Sequence, residues 1–217
     1  MSPELRVVAD VAEEAAKHFL ELQPRSVALA GGNTPRALYE RLRGCDYAWS
    51  GVDVFFGDER CVPRTHADSN FRMASEALLA HVQARVHPMD GVACDPAREE
   101  AELAAVFGPG LPRFDLVLLG LGADGHTASL FPGDPALEAG ERYVVKVERD
   151  AHARLSLTLP VLSAAKAAIF LVTGETKRDA LAQLLRGGDI PAARIACERI
   201  VVIADHAAAG DRGAPKP

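Results

Sequence analysis

The sequence lacks the features that mark several classes of protein. Its four cysteines, Cys45, Cys61, Cys94 and Cys197, form no C-x-x-C pair and so supply no cysteine-based zinc motif. A chain of 217 residues, 48% of them hydrophobic, needs no disulfide framework to hold a core. All four cysteines are therefore expected to be reduced structural thiols of a cytoplasmic protein. No apolar run approaches the ~18 residues of a membrane span. Met1–Ala9 carries Glu4 and no long apolar stretch, so no secretory leader is expected. Lys plus Arg number 24 against 30 Asp plus Glu, a net charge of −6, and no basic block interrupts the balance. That excludes sequence-independent nucleic-acid binding. An acidic chain that binds an anion must place its cations locally.

Neither an internal repeat nor a linker-like stretch divides the chain, so residues 1–217 are read as one domain, with Ala207–Pro217 expected to fray. Apolar runs at Ser26–Ala30, Val52–Phe56, Phe114–Leu121, Tyr143–Val147, Ala168–Val172 and Ile200–Ala204 are strand-sized. Between them, helical spacing predicts helices from Val11 to Leu22, Thr34–Arg43, Asn70–Val82, Arg98–Phe107 and Glu175–Leu185. Near-continuous apolar strands alternating with helices indicate an α/β fold, a doubly wound, mostly parallel, Rossmann-like sheet covered on both faces. Ligands of such sheets bind beyond the carboxyl ends of the strands. Polar, glycine-bearing clusters fall there three times.

The first is Gly31-Gly32-Asn33-Thr34-Pro35. Glycines admit a ligand close to the backbone, and the following helix aims unpaired N–H groups at it, an arrangement suited to an anion. The plainer alternative is a strand-to-helix turn capped by Asn33 or Thr34. The second is Gly57-Asp58-Glu59-Arg60, followed by Ser69-Asn70. It reads either as a solvated loop with Asn70 as a helix cap, or as a site in which Arg60 binds an anionic or carbonyl oxygen while Asp58 shapes the pocket or orders Arg60. The third, Gly122-Ala123-Asp124-Gly125-His126-Thr127, places a histidine two residues after an aspartate, a candidate general base beside a carboxylate. Ser129 lacks the G-x-S-x-G surroundings of a hydrolase nucleophile. Arg154 and Lys177 stand at element boundaries, either as ordinary surface charges or as phosphate ligands.

Taken together and in order, AGGNTP (Ala30–Pro35), FFGDERCVP (Phe55–Pro63) with Ser69-Asn70, DLVLLGLGADGHTASLFPG (Asp115–Gly133), RLSLTLPVL (Arg154–Leu162) and VTGETK (Val172–Lys177) resemble the glucosamine-6-phosphate isomerase/6-phosphogluconolactonase family. The family usually has a serine near Asn33. Its deaminase branch carries a glutamate before the proline, where this chain has Phe131 before Pro132, and tends to have tyrosine where Arg60 stands. The resemblance therefore implies the lactonase branch and hydrolysis of a phosphosugar lactone, with no metal and no cofactor. It implies His126, Asp124 and Arg60 as catalytic residues. Gly31, Gly32, Asn33, Thr34, Asp58, Asn70, Gly122, Gly125, Arg154 and Lys177 would bind substrate and its phosphate. The oxyanion donor is left open between Arg60 and backbone N–H groups of the Gly122–Gly125 turn. The expected partner is a small phosphosugar lactone, without nucleic acid or membrane, and the expected assembly a monomer or at most a homodimer.

Overall fold

The computed structural model describes residues 3–149 and 151–210. Among the described residues, ten strands and seven α-helices follow one another as β1 (Glu4–Val8), α1 (Val11–Leu22), β2 (Ser26–Leu29), α2 (Asn33–Leu42), β3 (Asp53–Phe56), β4 (Asp58–Arg60), α3 (Asn70–Ala77), β5 (Arg85–Val86) and α4 (Pro96–Phe107), and then β6 (Leu116–Gly120), β7 (Val144–Val147), β8 (Arg154–Leu157), α5 (Leu159–Ala164), β9 (Ala167–Val172), α6 (Arg178–Arg186), β10 (Arg199–Asp205) and α7 (His206–Ala209). Seven strands form one sheet in the order β1-β10-β9-β6-β2-β3-β5. Every pairing in it is parallel.

The alternation of side chains along the central strands explains why both faces are covered. On β6, Leu116 and Leu118 enter one buried layer with Val27, Leu29 and the α1 residue Phe19, while Val117 and Leu119 enter the opposite layer. On β9, Ala167, Ile169 and Leu171 face the first layer, and Ala168, Phe170 and Val172 the second. All six β9 residues are buried, the signature of a parallel strand sandwiched between helices. Fully burying one such Phe or Leu side chain is worth roughly 1.5–3 kcal/mol. The helices start where side chains can take their free N–H groups: Asp10 accepts from Glu13 N at the head of α1 and Asp95 from Ala97 N at the head of α4.

Three expectations need correction. Val144–Val147 is a strand but leaves the parallel sheet: with β4 and β8 it forms a small antiparallel sheet of order β4-β8-β7. Its burial is mixed, with Val144 and Val147 buried on opposite faces, Val145 half-buried and Lys146 exposed, unlike the uniformly buried strands of the parallel sheet. Gly57-Asp58-Glu59-Arg60 is no solvated loop, because Asp58 and Glu59 are buried in β4. The four cysteines are not all free thiols. Cys61, just past β4, and Cys94, ahead of α4, form a disulfide across a separation of 33 residues, whereas Cys45 and Cys197 are free. Spacing along the chain held no sign of that approach. At the far end, Ala207–Ala209 belong to α7 with Ala208 and Ala209 buried, and the rest of the expected fraying tail, 211–217, lies outside the described residues.

Candidate active site

Strands β9, β6, β2 and β3 are consecutive neighbours in the large sheet. The polar clusters after them therefore converge on one edge. From β2 the chain proceeds outward to β3, then returns to lay β6 on the other flank of β2, so a crevice opens between β2 and β6 where the winding reverses. A cleft of about 410 Å³ occupies this position. Gly31, Gly32, Asn33, Thr34, Asp58, Arg60, Asn70, Gly122, His126, Arg154 and Lys177 all line it.

One wall is the start of α2. Gly32 is its N-cap residue and no side chain caps it, so the first N–H groups of the helix remain donors for a ligand. Asn33 and Thr34 are inside the helix and do not cap it. The Thr34 hydroxyl meets that of Thr173, beyond β9, at 2.6 Å. The opposite wall is β4. Asn70 donates from Nδ2 to the Asp58 carbonyl oxygen at 2.9 Å and to the Asp58 carboxylate at 3.2 Å, and Ser129 Oγ donates to the same carboxylate at 2.6 Å. A Cβ on residue 31 would lie 2.0 Å from Asn70 Oδ1. Only glycine lets β2 and this polar network close on each other.

Glu59, which the sequence reading passed over, organises the segment below the wall. Its carboxylate accepts hydrogen bonds from the backbone N–H groups of Arg60, Asn70 and Phe71 and from Ser69 Oγ. Burial pushes its pKa above the usual glutamate value against the pull of those donors. The cap of α3 is Ser69, which accepts from Arg72 N, so Asn70 is free to serve the cleft.

Arg60 and Arg154 are directly opposed in the β4–β8 pairing. The Arg60 Nη1 donates to the Asp68 carbonyl oxygen at 2.5 Å. Among the described residues, the Nε of each arginine is buried without a hydrogen-bond partner. Burial and then the neighbouring Arg60 charge pull the Arg154 pKa below the ordinary guanidinium value. Two adjacent guanidinium groups with unsatisfied donors favour an anion between or beside them. Lys177 adds a third cation and makes no ion pair among the described residues.

The third wall is the β6 turn. Asp124 Oδ1 accepts from the His126 backbone N–H at 3.1 Å and lies 2.6 Å from His126 Nδ1. Burial would raise the Asp124 pKa, but these hydrogen bonds hold it below the ordinary aspartate value. A proton on Nδ1, shared with that carboxylate, leaves the Nε2 lone pair free to accept another. A Cβ on residue 122 would stand 2.1 Å from His126 Nδ1, so the ring packs directly on the Gly122 backbone.

Two assignments change. Gly125 is buried and does not line the cleft; its N–H donates to the Gly122 carbonyl oxygen at 3.0 Å. The Gly122 N–H donates to the His126 carbonyl oxygen at 2.8 Å. Both N–H groups are spent on closing the turn, which removes them as oxyanion donors. Asp124 stands behind His126 rather than in the cleft wall. Phe131 packs on the His126 ring at 4.5 Å between centroids. Arg149, absent from the sequence reading, lies over the other partner of that stack, 3.7 Å from the Phe131 centroid.

The family model for glucosamine-6-phosphate isomerases/6-phosphogluconolactonase matches residues 4–203. The chain belongs to this family. Among its relatives, a 6-phosphogluconolactonase of Synechocystis sp. is 43% identical over 189 residues, covering 82% of this chain and 79% of the relative. The 6-phosphogluconolactonase of Mycobacterium tuberculosis is 37% identical over 188 residues, 77% of this chain and 76% of its own. The solved 6-phosphogluconolactonase from Trypanosoma cruzi superposes with a TM-score of 0.88 at 30% identity, covering 99% of each chain. A monomeric glucosamine-6-phosphate deaminase, 19% identical with a TM-score of 0.83 over 96% of this chain and 99% of its own, shares the fold. At the position before Pro132, a phenyl ring rather than a carboxylate lies against the histidine.

Proposed function

We propose that this chain hydrolyses 6-phospho-D-glucono-1,5-lactone to 6-phospho-D-gluconate, the second step of the oxidative pentose phosphate pathway. The observation that carries the reading is the His126–Asp124 pair opening on a cleft lined by Arg60, Arg154 and Lys177. The substrate phosphate docks on the uncapped start of α2 at Gly32, Asn33 and Thr34, with Arg154 and Lys177 supplying charge. Gly31, Asp58 and Asn70 set the shape of the wall. His126 Nε2 takes a proton from a water that attacks the lactone C1 carbonyl, and Asp124 steadies the imidazolium so formed. Arg60 faces the oxyanion of the tetrahedral intermediate. Collapse breaks the bond from C1 to the ring oxygen, which receives the proton from His126, and the new carboxylic acid ionises to release a proton. Phe131 offers no carboxylate for the ring-opening triad of the deaminase branch. The reading places the enzyme in the cytoplasm, as a monomer or at most a homodimer, with no metal or cofactor in the chemical step.

The test is proton release on adding freshly generated lactone, measured against spontaneous hydrolysis. The wild type accelerates it, and His126→Ala loses roughly 10²–10⁴-fold in kcat. A folded wild type without acceleration overturns the reading, as does an unimpaired His126→Ala.

A further inference from the structure

Outside the cleft, His66, Asp68 and His152 bring three potential metal-ligand atoms within 4.8 Å of one another. The Asp68 carboxylate Oδ2 is 3.0 Å from His152 Nε2 and 3.8 Å from His66 Nδ1. His66 Nδ1 accepts the Asp68 backbone N–H at 3.1 Å, so this nitrogen carries no proton, and an ion taking its lone pair would replace that hydrogen bond. The two rings pack edge to face with centroids 5.2 Å apart. We propose that these three residues form a binding site for a divalent transition-metal ion of the zinc class.

Two imidazoles and one carboxylate suit such an ion and not calcium or magnesium, which take oxygen ligands. Tetrahedral coordination at zinc–nitrogen distances of about 2.0–2.1 Å separates donors by about 3.3 Å. The present spacings bracket that value, and the side chains are partly exposed, 42% for His66, 56% for Asp68 and 29% for His152. They can close on an ion without disturbing the core, and water can fill the fourth position.

The position gives the ion a mechanical role. His66 and Asp68 lie in the segment between β4 and α3, and His152 is two residues ahead of Arg154 in β8. The Asp68 carbonyl oxygen holds the Arg60 guanidinium. A bound ion therefore clamps the segment that follows Arg60 to the one that leads into Arg154, without touching either arginine. This clamp is independent of the lactonase reading and separate from its chemical step.

Metal-stripped protein titrated with Co²⁺, followed by its visible absorption and by Zn²⁺ displacement, tests the site. One ion per chain is expected, with a rise in thermal midpoint on saturation. His66→Ala and His152→Ala, each removing one ligand from the surface, should each weaken binding by about 10-fold or more. His126→Ala should bind as tightly as the wild type. Unchanged affinity in both surface variants, loss confined to His126→Ala, or no binding by the wild type at millimolar metal each overturns the proposal.

Discussion

The separation of 2.6 Å between His126 Nδ1 and Asp124 fixes the tautomer that a base needs. The arginines divide the remaining work. Arg60 is held from behind by the Asp68 carbonyl oxygen, whereas the buried Arg154 Nε has no hydrogen-bond partner among the described residues and is open to a ligand. Arg154→Ala should therefore raise KM with kcat changed little, while Arg60→Ala should chiefly lower kcat, by about 10²-fold. Steady-state kinetics on the two variants check the assignment. Identical changes in both would leave the division without support. The pairing itself was beyond sequence reasoning: 94 positions separate these residues, and only the β4–β8 register sets them opposite each other.

At the scale of elements, the disulfide binds the end of β4 to the turn ahead of α4. Cross-linking residues 33 apart removes chain entropy from the unfolded state worth about 2–4 kcal/mol. Cys94→Ala should lower the thermal midpoint accordingly, and reductant should destabilise the wild type to a similar level while leaving the variant unchanged. Scanning calorimetry with and without reductant distinguishes this from a packing effect, for which reductant would move neither protein. The elements themselves differ in how legible they were. β6 and β9 announced themselves because strands buried on both faces are apolar at every position. β4 did not, because Asp58, Glu59 and Arg60 are charged, and their burial is compensated by partners 10 to 98 residues away in sequence that no local pattern reveals. The same limit hid the Cys61–Cys94 bond and the role of Glu59. The loops carrying Gly31–Thr34 and Asp124–His126 were legible because the chemistry and the turn lie within a few residues of each other.

Across the whole molecule, the sheet separates function from stability at its two ends. The carboxyl ends of the strands form the cleft; at the amino ends, Asp115 joins three neighbouring strands. Its carboxylate accepts from the backbone N–H groups of Arg25 and Ser26 at the start of β2 and from Lys166 Nζ at the start of β9, while its own N–H, ahead of β6, donates to Ser26 Oγ. Burial would raise the Asp115 pKa, but Lys166 and the two N–H groups outweigh it and hold the group below the ordinary 3.8. Asp53 is lowered likewise, chiefly by Arg85, at the amino end of β3. A carboxylate lowered in the folded state stabilises it fully above the unfolded value, and that contribution fades as pH falls through the folded value. Asp115→Asn should thus cost about 1–3 kcal/mol near neutrality. The gap in thermal midpoint between variant and wild type should narrow progressively below pH 3.8, where the wild type also loses the charge. Because the tie sits at the opposite end of the strands from His126, kcat and KM at temperatures well below the midpoint should stay near wild type. A constant gap from pH 7 down to pH 2 would mean that Asp115 contributes through its shape and not its charge.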